Sequence, residues 1–242
     1  QKAAAAIASG RFKDEIVPVT VKQKKKEFVF DTDEDPRDTT LEKLGSLKGA
    51  FAVSDDNTVD KVDMTFEATH MTPSADNIGV KRVTAGNASG INDAAAAVIL
   101  MSWEKCQELG KKPMAKLVTC VAEGVAPEVM GLGPAVAMPK ALKAAGLKWE
   151  DIDYFEVNEA FSAQVLGVER MLKEDYGYVV DWNKTNKFGS GIALGHPVGC
   201  TALRIIVTLV YEMIRSDYKY GMASLCVGGG PALASIWTRD FS

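Results

Sequence analysis

Histidine is scarce in this chain of 242 residues: only His70 and His196 occur. Cysteine is scarce as well, with Cys106, Cys120, Cys200 and Cys226 spread along the sequence. Their spacing is neither that of a metal cluster nor that of a disulfide framework, so no metal site and a reducing, cytoplasmic setting are expected. No apolar run is long enough to cross a bilayer, and the opening residues carry no signal-peptide pattern. Lys and Arg number 28 against 32 Asp and Glu, a net charge of −4, which lacks the basic excess that nucleic acid demands. The hydrophobic content of 47% is ordinary and suffices for one large domain or two small ones. The sequence opens on Gln1 without an initiator methionine and is expected to be cut from something longer.

Against these absences, the stretch Asn186 to Arg204, NKFGSGIALGHPVGCTALR, stands out. It is rich in glycine, holds one of the two histidines and runs into the apolar helical pattern RIIVTLVYEMI. Proline is tolerated in the first turn of a helix, so Pro197 places His196 at the mouth of a helix N-terminus. Backbone N–H groups and the helix dipole favour negative charge there. A neutral imidazole in that position takes a proton from a nucleophile or donates to an oxyanion. A helix cap with a purely structural histidine is the competing reading.

Leu225 to Ala234, LCVGGGPALA, reads as a short buried strand ending at Cys226 and followed by three glycines. A thiol at a strand end beside free N–H groups is a candidate for proton transfer or nucleophilic work; a buried cysteine acting as a small hydrophobe is the alternative. In Phe155 to Gln164, FEVNEAFSAQ, Asn158 and Glu159 follow a strand pattern and open a helical one.

Taken together, Asn158-Glu159-Ala160-Phe161, Gly195-His196-Pro197 and Cys226-Val227-Gly228-Gly229-Gly230 resemble, in order and spacing, the C-terminal signatures of the thiolase family. The likeness extends to GRFKDEIVPV near the start and to TAGNASGIND, and so covers most of the chain. It implies an α/β protein of the layered α/β/α/β/α thiolase fold. Residues 1–110 would be the remainder of a loop domain with the last strand–helix unit of the N-terminal half, and residues 111–242 the C-terminal domain. The break at Leu109-Gly110-Lys111-Lys112-Pro113 marks that boundary independently.

Along the chain, Ala3 to Gly10 reads as a helix end, and Glu15 to Lys22 with Glu27 to Phe30 as a hairpin around a lysine-rich turn. That turn is read as solvated rather than as a nucleotide-phosphate site. Thr40 to Leu47 is a short helical pattern. Ala52 to Lys81 is a polar intervening stretch with Asp55, Asp56, Asp60, Asp63 and His70, longer than thiolases usually have. Val83 to Ser102 reads as a strand, a glycine turn and an alanine-rich helix. Alternating strands and helices follow: Lys116 to Val121, Pro134 to Ala145 closed by Gly146, Tyr154 to Val157, Ala160 to Lys173, the helix after His196, the Cys226 strand and a last strand at Ser235 to Arg239. Alternating units imply a sheet covered on both faces, with sites at strand ends.

The resemblance implies roles. His196 would activate a nucleophile and contribute to an oxyanion hole, Cys226 would exchange the α-proton of acetyl-CoA, Asn158 would hold an oxyanion-hole water, and Gly228 would supply a backbone N–H. Arg37, Ser89, Ala160 and Phe161 are implied to contact coenzyme A, with Ser89 at the pantetheine arm and Arg37 at the nucleotide end. A guanidinium suits that end because it stacks on adenine and pairs with phosphate. Coenzyme A and acyl-CoA enter as substrates, and no permanently bound cofactor is implied. The chain departs from the common pattern at Ala94, Ser190, Cys200, Ala202 and Pro231-Ala232. The family's nucleophilic cysteine has no counterpart, since neither Cys106 nor Cys120 has its sequence setting.

The expected activity is acyl transfer between acetyl-CoA units, by Claisen condensation or the reverse thiolysis. It is expected to need a partner chain or upstream segment bearing the nucleophile, in a homo- or hetero-oligomer, with no membrane and no nucleic acid. A degradative 3-ketoacyl-CoA thiolase of longer-chain preference is the runner-up. A non-catalytic module that binds CoA esters is the alternative of a different class.

Overall fold

The computed structural model describes residues 1–50 and 83–241. The polar stretch 52–81, His70 included, lies outside the described residues.

Four strands form the central sheet: β3 (Lys116–Gly124), β4 (Tyr154–Val157), β5 (Tyr220–Cys226) and β6 (Pro231–Thr238), in the order β3-β6-β5-β4. A separate antiparallel hairpin joins β1 (Val19–Gln23) to β2 (Lys26–Phe30). β4 runs parallel to β5, pairing Val157 with Ser224, whereas β6 is antiparallel to both β5 and β3. All four residues of β4 are buried, as a strand covered on both faces requires. Side chains alternate along it. Phe155 and Val157 join Met222 and Ile236 under α4 (Gly133–Ala145) and α5 (Ser162–Tyr176). Tyr154 joins Ala223 under α7 (Thr201–Arg215) on the opposite face.

Helix α7 presents Ile205, Leu209 and Met213, one apolar stripe at four-residue spacing, to that second face. Each of these side chains is fully buried, which contributes roughly 1.5–3 kcal/mol relative to exposure. Helices on both faces give three α/β/α layers of the five in the expected α/β/α/β/α arrangement. A second large sheet is absent among the described residues, in keeping with a chain that carries one half of a two-sheet arrangement.

The N-terminal segment returns to this body. α1 (Lys2–Ala8) buries Ala3 and Ala6. Arg11 pairs with Glu212 of α7 at 3.4 Å, and Phe12 meets Phe188 edge-on.

Several element expectations need correction. Val83 to Ser102 forms neither the strand nor the alanine-rich helix: the one ladder contact is a bridge from Ala88 to Phe161, and the next helix, α3, spans Trp103–Glu108. Ile91, Ile99 and Leu100 are 98%, 86% and 73% exposed, so no described sheet covers the apolar face. Helices draw most of their stability from such packing. α5 starts at Ser162, because Ala160 and Phe161 stay extended against the Asn87–Ser89 segment. α7 starts at Thr201; a turn through Gly199, at φ +94°, separates Pro197 from the helix it was expected to open. A short helix, α6 (Gly191–Leu194), instead precedes His196. β6 begins at Pro231, four residues before the expected Ser235, since proline is accommodated at the first residue of a strand.

Candidate active site

Parallel pairing of β4 with β5 sets their C-terminal ends side by side. The Asn158 N–H donates to Ser224 O at 3.0 Å, which places Asn158 next to the strand that ends at Cys226. Asn158 is wholly buried, and neither its Nδ2 nor its Oδ1 has a hydrogen-bond partner among the described residues. Leaving such groups unmade costs about 1–3 kcal/mol each, so a buried amide of this kind is a polar group held in reserve.

Around Asn158 the chain is fastened by side chains from the glycine-rich stretch. Asn186 Nδ2 donates to Val157 O and to Glu159 Oε1, both at 2.8 Å, while its Oδ1 accepts the Val157 N–H. Ser190 Oγ donates to Val157 O at 3.1 Å and accepts the Glu159 N–H at 3.3 Å. Gly191 lies so near that a Cβ there would stand 2.7 Å from Asn158 Oδ1. Ser190, noted in the sequence only as a departure, is thus a clamp on the Asn158 turn.

His196 is half-buried. Its Nδ1 lies 2.7 Å from Thr201 Oγ1. The Thr201 hydroxyl spends its one proton on Pro197 O at 3.0 Å, so it accepts from the imidazole. Nδ1 therefore carries the proton and Nε2 the lone pair. Burial, with the positive charge of Arg204 as a second cause, pulls the His196 pKa below its ordinary value. The ring is neutral near pH 7 and able to act as a base.

Cys226 is buried at the end of β5, and burial pushes its thiol pKa up despite an opposing backbone hydrogen bond. The next residues turn over: Gly230 N–H donates to Val227 O and Val227 N–H to Pro231 O. Gly228 lies exposed in that turn, and a Cβ there would meet nothing within 4 Å.

The TAGNASG segment closes the cluster. Ser89 N–H donates to Ala160 O, Ser162 N–H to Asn87 O, and His196 N–H to Gly90 O at 3.1 Å. Ser89, Ala160, Phe161, Asn158 and His196 are therefore joined by main-chain contacts, and Cys226 is joined to them through β5. Phe161 is 38% exposed and Ala160 is buried. Arg37 takes no part in these contacts: it is exposed on the loop between β2 and α2 (Leu41–Gly45).

Beneath the site lies a charged layer that the sequence reading missed. Glu156 is fully buried and accepts from the Tyr154 hydroxyl at 2.5 Å. Burial raises its pKa to about 7, against the opposing charge of Arg204. Glu15 is likewise raised to about 7, chiefly by burial, and burial raises Glu159. Arg204 Nη1 and Nη2 are buried with no hydrogen-bond partner among the described residues. A lone glutamate inside an apolar run, FEV, was the one available signal for Glu156.

A buried thiol, a neutral imidazole and an unpartnered amide, gathered where strands end and glycine turns begin, define a layered α/β protein with a site suited to proton transfer beside a developing oxyanion. The chain belongs to the thiolase family. Its residues 111–239 match the thiolase C-terminal domain and residues 1–61 the thiolase N-terminal domain. It is 50% identical over 234 residues to the acetyl-CoA acetyltransferase of Syntrophomonas wolfei, covering 97% of this chain and 52% of that protein. The structure of the acetyl-CoA acetyltransferase from that organism superposes with a TM-score of 0.83 at 51% identity, over 99% of this chain and 54% of the other. Human mitochondrial 3-ketoacyl-CoA thiolase in complex with CoA superposes with a TM-score of 0.78 at 36% identity, over 99% and 52%. The chain thus spans about half the length of the relatives it matches.

Proposed function

We propose that this chain is the base-carrying part of a thiolase that transfers acyl groups between acetyl-CoA units, by Claisen condensation or the reverse thiolysis. The observation that carries the reading is the meeting of Asn158, His196 and the Cys226 strand end in one hydrogen-bonded cluster. In the condensation, an acetyl group first passes from coenzyme A sulfur to a cysteine thiolate outside these 242 residues; the departing sulfur takes the Cys226 proton, so coenzyme A leaves as a thiol and Cys226 is left as a thiolate. His196, neutral with Nε2 bare, takes the cysteine proton in that step. The Cys226 thiolate then removes an α-proton from a second acetyl-CoA, and the enolate carbon attacks the acyl-cysteine carbonyl. The carbon–sulfur bond breaks and the cysteine leaves as thiolate. Preorganised donors stabilise each oxyanion; the Asn158 amide, through a water, and the Gly228 N–H fill that role here.

Coenzyme A is held by Ser89, Ala160 and Phe161, with Arg37 at the nucleotide end. The greater identity to an acetyl-CoA acetyltransferase, 50% against 42% for a bacterial 3-ketoacyl-CoA thiolase, favours short acyl chains. The nucleophile sits on a partner chain or an upstream segment, within an oligomer in a reducing, cytoplasmic setting. Support comes from the uncovered apolar residues Ile91, Val98, Ile99, Leu100 and Met101, because a contiguous exposed apolar stretch marks an interaction surface.

The test is to incubate residues 1–242 with acetoacetyl-CoA and coenzyme A and follow thioester loss. The expected result is no steady turnover until the nucleophile-bearing segment is supplied. Steady thiolysis by residues 1–242 unaided would refute the proposal.

A further inference from the structure

We infer that Asn92 and Asp35 are positioning residues for His196, acting through its main chain; this rests on the reading of His196 as a catalytic base. The His196 N–H is shared between Gly90 O, at 3.1 Å, and Asn92 Oδ1, at 3.2 Å. The other end of the same carboxamide, Asn92 Nδ2, donates to Asp35 Oδ2. The two neighbours fix the orientation of the amide: its oxygen faces an N–H and its nitrogen faces a carboxylate. A flipped amide would set oxygen against oxygen and nitrogen against nitrogen.

Gly195 makes the approach possible. Its φ is +91°, and a Cβ there would stand 2.8 Å from Asp35 Oδ2 and closer still to Asn92. The Asp35–Asn92 pair is thus seated directly against the backbone that presents the imidazole. Thr201 holds the ring from one side, and Asn92 holds the peptide that carries it from the other. Asp35 lies two residues from Arg37 on the loop between β2 and α2. The pair therefore also ties that loop to His196.

Polarity supplies the test. Asn92→Asp is nearly isosteric and still accepts from the His196 N–H, but has no N–H to give Asp35 and sets two carboxylates together. Adding Asp35→Asn restores the hydrogen bond with donor and acceptor exchanged and the net charge unchanged. Both variants are made in the complete, nucleophile-bearing enzyme, and thiolysis of acetoacetyl-CoA is measured. Asn92→Asp is expected to lower kcat by about 10²-fold, the scale of a misplacement near 1 Å, with KM little changed. The double variant is expected to regain most of that loss. Asp35→Asn alone keeps a hydrogen bond between two amides and is expected to lose less than Asn92→Asp. A wild-type kcat in Asn92→Asp, a double variant no faster than Asn92→Asp, or a larger loss in Asp35→Asn would each overturn the inference. His196→Ala, run alongside, separates the two levels. An unchanged rate there overturns the reading of His196 and the inference with it. A loss there with wild-type kcat in Asn92→Asp overturns the inference alone.

Discussion

The Tyr154 hydroxyl donates to Glu156 Oε1 at 2.5 Å, two residues along the same buried strand, on the face covered by α7. Both groups precede Asn158 on the same extended segment at two-residue spacing, and neither bears a motif. Burial raises the Glu156 pKa to about 7, whereas an exposed glutamate is already half ionised at pH 4.5. The folded state thus binds this proton more tightly than the unfolded chain does, so stability falls as pH rises between about 4.5 and about 7 and levels off above. Glu156→Gln keeps an acceptor for Tyr154 and removes the titration. It is expected to reduce the slope of that part of the profile, leaving the share that Glu15 contributes in the same window, and to stabilise the protein at pH 8 by roughly 3 kcal/mol, with little effect at pH 4.5. Urea unfolding of both proteins across this range is the check; parallel profiles would reject the assignment.

Thr201→Val removes the acceptor for His196 Nδ1–H while keeping the shape of the first α7 residue. Leaving that donor unmade costs about 1–3 kcal/mol, which corresponds to a rate loss of about tenfold to a hundredfold if the tautomer matters for catalysis. Thr201→Ser keeps the hydroxyl and is expected to stay close to wild type. The rate of acylation of the complete enzyme distinguishes these outcomes, and equal rates for the valine and serine variants would count against the tautomer argument.

Gly191→Ala probes the Asn158 turn. The new methyl would meet Asn158 Oδ1 at 2.7 Å and Glu159 O at 2.8 Å, and the second is backbone that yields little. Overpacking of this kind typically costs about 1–3 kcal/mol. A fall in thermal midpoint together with a fall in kcat is expected. A stable, fully active variant would show that the Asn158 turn tolerates displacement.

Cys226→Ser replaces a thiol by a far weaker acid at the end of β5. General-base contributions are typically about 10²–10⁴-fold, and exchange of the acetyl-CoA methyl protons with deuterium should slow on that scale in the complete enzyme. Exchange at the wild-type rate would remove Cys226 from the base role.

Much of the fold is legible where a segment finds its partners within the chain. The buried run Tyr154–Val157 and the helix closed by Gly146 read directly, because apolar pattern and stop signals agree with the packing. Residues 91–102 do not, since helical propensity alone cannot hold an apolar face that nothing described here covers. For the site, His196, Asn158 and Cys226 announce themselves by residue type beside glycine turns. Thr201 does not, because its contact depends on the extra turn through Gly199, which Pro197 alone had suggested was the helix start. Nor do Arg11 and Glu212, since their pairing joins positions 201 residues apart.

The N-terminal arm has a practical consequence for dissecting the protein. Lys2 reaches the carbonyls of Thr185 and Asn186, Phe12 rests on Phe188, and Arg215 donates both to Arg11 O and to Asp14. A nick between residues 17 and 110 would leave the arm seated, so the two fragments should co-elute in gel filtration and part only in denaturant. A recombinant fragment begun at Lys111, by contrast, would uncover the α7 surface around Glu212 and deprive that carboxylate of Arg11. A synthetic peptide of residues 1–16, supplied in trans, should raise the melting temperature of such a fragment.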